Sequence, residues 1–195
     1  MARKIKERAI KSPRITIIGE GMTERCYFTH LRKLNDYRYV CKPMNFVSQT
    51  IGEIQKLVEK VLADYGIAVC VFDADVARIN AAERGKLERF RQKYQNNSSV
   101  VICDSLPSIE FWFLIHFLNT NRHFNTSDDV IEVLRKYIPE FSKHEKFLSQ
   151  EKWVAQLLSE DRLKMACERA VAMGIEGASY SNVYKAFALF EKLKS

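Results

Sequence analysis

Residues 67–72, Ile-Ala-Val-Cys-Val-Phe, form an unbroken apolar run that stops at Asp73-Ala74-Asp75. A strand with one wet face alternates apolar and polar residues. A run without alternation belongs to a strand covered on both faces, which points to a layered α/β fold with a largely parallel sheet. The flanking segments agree with that reading. Residues 14–19 are a β-branched run read as a first buried strand, and 23–34 place Tyr27, Phe28, Leu31 and Leu34 at helical spacing. A second strand is expected within 37–47. Thr50 and Glu53 form a Thr-x-x-Glu capping box, and Ile51, Ile54, Leu57, Val58, Val61, Leu62 and Tyr65 then follow one helical face until Gly66. Past the central run come a charged helix over about 80–95 and a strand at 99–103.

From Pro107 onward only helical patterns follow. Residues 109–118 are apolar almost all round, which marks a buried helix. Further helices are expected at 128–138, 150–173 and 181–193, with Ser127 and Ser181 as caps of the first and last. The expected architecture is α/β: a mainly parallel four-stranded sheet flanked by helices, followed by a C-terminal helical region. Its parts are a basic arm (1–13), an α/β core (14–120) and helices packed on that core (121–195).

Charge narrows the function classes. The net charge is +7. Residues 1–14 hold Arg3, Lys4, Lys6, Arg8, Lys11 and Arg14 against Glu7, a net +5, leaving the remaining 181 residues close to neutral. Such an arm is either a phosphate-binding element or a solvated terminus. It has no apolar segment behind it, so it is not read as a secretory signal. The longest apolar run from residue 107 on, 111–118, is too short to span a bilayer and contains His116. Five scattered cysteines without Cys-x-x-Cys indicate neither a disulfide framework nor a zinc site, and a reducing, cytoplasmic setting is expected.

Two acidic clusters lie where strands end. Glu20-Gly21-Met22-Thr23-Glu24 follows the first strand, and Asp73-Ala74-Asp75 follows the central one. Ligands of open parallel sheets bind outside the carboxyl ends of the strands, and carboxylates are the hard oxygen donors that Mg²⁺ and Mn²⁺ prefer. Taken singly, Asp73 and Asp75 read as loop caps, and Glu20 and Glu24 as complements to a helix dipole. Taken together they read as a site, because converging acids repel unless a cation or a proton compensates. Gly21 is read as allowing close backbone approach at the strand-to-helix turn.

Other residues carry weaker signals. Glu110, early in the aromatic helix, is placed to turn either toward the acidic site or toward a base. His116 reads as a hydrogen-bonded core histidine; His30, His123 and His144 have no ligand spacing. Residues 78–93 carry Arg78, Arg84, Lys86, Arg89, Arg91 and Lys93 against two acids, either a nucleic-acid backbone contact or a charged outer helix face. Lys143, His144 and Lys146 are a candidate second phosphate contact. No phosphate-binding Gly-x-x-x-x-Gly-Lys-Ser/Thr loop and no serine or cysteine nucleophile motif occurs.

A strand ending in Glu-Gly-x-Thr-Glu and a later one ending in Asp-x-Asp resemble the TOPRIM domain of topoisomerases, primases and overcoming-lysogenization-defect nucleases. Thr23-Glu24-x-x-Tyr27-Phe28, the segment from Pro107 through Glu110 to Phe117, and Tyr180-Ser181-Asn182-Val183-Tyr184 together resemble the RloB family of TOPRIM proteins, over about residues 13–195. Leu106-Pro107 stands where that family usually has Asn-Pro, so nothing is carried onto Leu106. The resemblance implies Mg²⁺- or Mn²⁺-dependent phosphodiester chemistry. Glu20 would act as general acid/base or metal ligand, Asp73 and Asp75 would hold metal, and Glu24 would help bind a second ion. It further implies a nuclease effector of prokaryotic antiviral defence acting on DNA or RNA, with a separately encoded ATPase partner. The alternative is an inactive TOPRIM-fold binding subunit.

Overall fold

The 67–72 run is the middle of the sheet, as its unbroken apolarity requires. The computed structural model describes residues 13–43, 49–75, 80–174 and 179–194. Five strands stand in the order β2-β1-β3-β4-β5: β1 Ile15–Gly19, β2 Tyr39–Lys42, β3 Ile67–Asp73, β4 Val100–Leu106 and β5 Tyr180–Ser181. The first four are mutually parallel, with Ile15 opposite both Tyr39 and Ile67, and Ala68 opposite Val100. Among the described residues, three helices connect them: α1 Met22–Asn35, α2 Ile51–Ala63 and α3 Ala81–Tyr94. The Thr50–Glu53 capping box is present in full, with Thr50 N–H donating to the Glu53 carboxylate at 2.8 Å and Glu53 N–H to Thr50 Oγ1 at 3.3 Å.

Strand alternation divides the interior into two layers. Ile15, Ile17, Val69 and Val71 face α1 and the C-terminal helices, whereas Ile18, Ala68, Cys70 and Phe72 face α2 and α3. The first layer is rich in aromatics. Tyr27, Phe113 and Trp153 are buried ring against ring, and Trp112 Nε1–H donates to the Tyr27 hydroxyl at 2.9 Å. Burial of each such side chain stabilises the fold by about 1.5–3 kcal/mol, so this layer ties the C-terminal helices to the sheet. No helix among the described residues is long and apolar enough to cross a membrane.

Past β4 the chain forms α4 Ile109–Leu114, α5 Ser127–Leu134, α6 Glu145–Leu148, α7 Lys152–Leu158, α8 Arg162–Met173 and α9 Tyr184–Lys194. Four expectations need correction. The helix expected over 109–118 ends at Leu114, where the chain tightens into bonds such as Phe117 N–H to the Leu114 carbonyl at 3.0 Å. Thr126, not Ser127, caps α5, because its hydroxyl accepts from Asp129 N–H while the Asp129 carboxylate accepts from Thr126 N–H. The helix expected over 150–173 is broken at Ser159-Glu160-Asp161, where Glu160 and Asp161 are left-handed (φ 55° and 56°), a conformation that ends a helix. Finally, Ser181 lies in a strand three residues before α9, with its Oγ accepting from Val183 N–H at 3.3 Å. It pairs antiparallel with Ser105 in β5, giving the sheet a fifth strand.

A charged group holds that two-residue strand. Asp104 of β4 is buried and accepts from the Arg91 guanidinium of α3, from the Tyr180 hydroxyl at 2.9 Å and from Asn182 Nδ2 at 2.8 Å. Arg91 also donates to the Tyr180 hydroxyl at 3.0 Å. Arg91 is partly exposed, so solvent screens its share; most of the effect comes from the two neutral donors that have no other use for their protons. Asp104→Ala is expected to lower stability in urea unfolding by about 3 kcal/mol, and Asp104→Asn by roughly half that. A loss under about 1 kcal/mol for the alanine variant would show that water replaces the network.

Candidate acidic site at the strand ends

The strand order brings the two acidic clusters together. The chain passes from β1 outward to β2, then crosses back so that β3 lies on the other side of β1. The β1/β3 boundary is therefore where the winding reverses, and crevices at such points are where open α/β sheets bind ligands. Gly19 pairs with Val71, and the ladder continues one step further, with Glu20 N–H donating to the Val71 carbonyl at 3.0 Å. The Glu20 side chain then bends to β3, where its Oε2 accepts from Asp73 N–H at 2.8 Å. Residues 53 apart in sequence thus share a hydrogen bond.

Asp73 in turn caps α4. Its Oδ1 accepts from Ile109 N–H at 2.9 Å, a bond that the N-cap residue Ser108 does not supply from its own side chain. Glu24, in the first turn of α1, accepts from Gly21 N–H at 2.9 Å. The crowded glycine at this turn is Gly19 rather than the expected Gly21. A Cβ on Gly19 would stand 3.0 Å from Glu24 Cβ, whereas Gly21 is extended (φ −147°) and has ordinary room. A side chain at 19 would require Glu24 to yield, which glycine avoids.

The electrostatics follow from burial and mutual proximity. Burial pushes the Glu20 carboxyl above its ordinary range, opposed by the Asp73 N–H and reinforced by Asp75. Burial, then the charges of Glu24, Glu110 and Glu20, push Asp73 well up, against the Ile109 N–H bond. Glu24 is raised to about 7, first by burial and then by Glu110 and Glu20, against hydrogen bonds from backbone N–H groups. Glu110 completes the group. It is fully buried, and Lys143 Nζ lies 3.2 Å from its Oε1 without hydrogen-bonding geometry. Burial alone would depress the Lys143 ammonium, yet Glu110, Asp73 and Glu24 together raise it.

Glu20, Glu24, Asp73, Asp75 and Glu110, all anticipated from sequence, therefore act on one another in one place. Lys143, a candidate phosphate contact, stands 3.2 Å from Glu110 Oε1 and is exposed, as are its neighbours His144 and Lys146. Of the anticipated nucleic-acid contacts, Arg78 lies outside the described residues. Arg84 and Arg89 are exposed on α3, where Lys86 pairs with Glu83 at 2.6 Å. His116 is buried and held neutral: burial first, then nearby Arg169 and Arg162, depress it to about 3, and Nδ1 pairs with the Trp112 carbonyl at 2.8 Å. Both Glu110 oxygens and Ser108 Oγ are buried without hydrogen-bond partners, an open valence beside Asp73. As placed, no three His, Cys, Asp or Glu side chains among the described residues stand in a metal-holding arrangement. Glu20 and Asp73 each spend an oxygen on a backbone N–H instead.

Comparison with known proteins yields one family. The model of a family described as RloB-like protein matches residues 15–186. No curated protein and no solved structure matches the chain.

The raised Glu24 has a pH signature. Between its unfolded value near 4.5 and its folded value of about 7, the native state keeps a proton that the unfolded chain releases, so stability falls as pH rises through that window. Above it the penalty reaches about 3 kcal/mol. Glu24→Gln keeps the acceptor for Gly21 N–H and removes the penalty. Its melting temperature is expected to exceed the wild type at pH 8 and to converge with it near pH 4.5. Parallel curves for the two proteins across that range would contradict the assignment.

Proposed function

Because the chain belongs to the RloB-like family, and its acids gather at the reversal point of the sheet, we propose that it is a Mg²⁺- or Mn²⁺-dependent phosphodiesterase with a TOPRIM-type centre, cleaving DNA or RNA. The observation that carries this reading is the group of Glu20, Glu24, Asp73, Asp75 and Glu110, in which Glu24 and Glu110 are buried and Lys143 forms an ion pair with Glu110 at 3.2 Å. Backbone N–H groups and the Lys143 ammonium offset this gathering of five carboxyls in part, and a divalent cation fits the remaining deficit in charge and in donor chemistry.

Asp73, Asp75 and Glu20 would hold the ion, with Glu24 as a further oxygen donor. When bound, such an ion polarises a phosphoryl oxygen and makes hydroxide accessible near neutral pH. The protein's own part is to fix those carboxylates: Glu20 by Asp73 N–H, Asp73 by Ile109 N–H, and Glu24 by Gly21 N–H. Glu110 stands behind them and sets their charge. Arg84, Lys86 and Arg89 on α3, together with the basic residues of 1–14, supply cations for a phosphate backbone. The family likeness extends the proposal to an antiviral defence effector governed by a separately encoded ATPase partner.

One observation favours a second reading, an inactive binding subunit: no three acids converge as ligands among the described residues. The two readings separate in one preparation. Asp73→Asn keeps the acceptor for Ile109 N–H and so the fold, but is expected to weaken Mn²⁺ binding at least tenfold by calorimetry. Asp75→Ala is expected to slow Mn²⁺-dependent cleavage of single-stranded RNA or DNA by roughly 100-fold or more, since even residues behind a ligand cost 10–100-fold, while strand binding persists. Cleavage equal in wild type and Asp75→Ala would come from a contaminant and leave the binding subunit as the better reading.

A further inference from the structure

We propose that the apolar groove between α8 and α9 is the docking site of this chain's own basic arm, residues 1–12. The groove has a volume of about 940 Å³, toward the upper end of the roughly 300–1,000 Å³ that ligand pockets span. Leu163, Cys167 and Val171 recur every fourth residue along one face of α8 and line one wall. Tyr184 and Ala188 of α9 line the other, and Tyr37, just ahead of β2, joins them. Val171 is 60% exposed. A continuous apolar surface of this kind, rimmed by charged residues, marks a place where another apolar segment seats. None of the acids of the strand-end site lines it.

Charge, position and tethering select the arm as occupant. Asp161 and Glu168 are exposed on the rim, and neither is in a salt bridge among the described residues. Glu191 stands with them, against one lysine, Lys164. Residues 1–12 carry Arg3, Lys4, Lys6, Arg8 and Lys11 against Glu7, a net +4, with Ile5 and Ile10 among them. The isoleucines fit the apolar walls while the cations meet the acids of the rim. β1 and β2 run parallel with Ile15 opposite Tyr39, so the chain ahead of Pro13 enters at the end of the sheet where Tyr37 stands. Twelve extended residues reach up to about 40 Å. That is ample to follow α8, whose 12 residues rise about 18 Å. A segment tethered so close is held at an effective concentration on the order of millimolar, an advantage that a second copy in dilute solution lacks. Docking partly neutralises the basic residues assigned above to a phosphate backbone, so a nucleic-acid strand competes with the groove for them.

Two measurements on the full chain test this. A zero-length carbodiimide reagent joins ammonium groups to nearby carboxylates, and mass spectrometry reads the pairs. Cross-links are expected from Lys4, Lys6 or Lys11 to Asp161 or Glu168, and within one copy when isotope-labelled and unlabelled chains are mixed. The Lys93–Glu59 ion pair, at 2.7 Å, is the positive control. The second measurement compares alkylation of Cys167 by iodoacetamide in wild type and in the double variant Ile5→Ser, Ile10→Ser. Loss of both isoleucines is expected to raise Cys167 alkylation severalfold and to cut the arm cross-links severalfold, with the half-buried Cys41 unchanged as the internal reference. A control pair that forms while the arm stays unlinked overturns the proposal, as do links found only between copies. Cys167 reactivity indifferent to the double substitution overturns it as well.

Discussion

Carboxyl groups buried within reach of one another are the constraint on which this structure turns. Each must be neutralised by a proton, a donor or a cation, and the protein uses all three kinds of compensation. Glu24 retains a proton up to about pH 7, backbone N–H groups serve Glu20, Glu24 and Asp73, and Lys143 stands against Glu110. The bonds that steady the acids also build the fold. Asp73 starts α4, Glu24 closes the first turn of α1, and Glu20 ties the end of β1 to the end of β3. A cluster so coupled to its framework destabilises the empty protein at neutral pH. Proteins keep such an arrangement where a ligand restores the balance.

The sheet explains why the cluster lies where it does. With β3 beside β1 and β2 beyond, the crossover geometry opens a crevice at the carboxyl ends of the two central strands. α1 leaves that crevice on one face and α4 enters it from β4. Helix starts and strand ends therefore deliver three separate stretches of chain to one point. Lys143 arrives from a fourth, beside the aromatic layer around Phe141 and Trp153.

Much of this was legible in the sequence. The unbroken run at 67–72 identified the central strand, and Thr50 with Glu53 marked the start of α2. Glu20 and Asp73, each just past an apolar strand, were expected to meet. Other features left no local trace. β5 is two residues long and owes its place to Asp104, Arg91 and Asn182, with contacts spanning up to 89 positions that no periodicity reveals. Lys143 looks like any surface lysine between Ser142 and His144; only the packing of Phe141 and α6 aims it at Glu110. Gly19 was overlooked in favour of Gly21 because a motif shows which residues are small, not which neighbour would be struck by a Cβ. The break at 159–161 did have a signal, since Ser-Glu-Asp is turn chemistry inside an otherwise helical pattern.

The central proposal is that protons hold this acidic cluster in balance until a divalent ion takes their place. Calorimetric titration of Mn²⁺ at pH 6 in buffers of different ionisation enthalpy measures the protons exchanged on binding. The account predicts net proton release, because carboxyls with raised affinity for protons must give them up to hold metal, and a smaller release at pH 8. Binding with no proton release at either pH, or no binding at all, would contradict it.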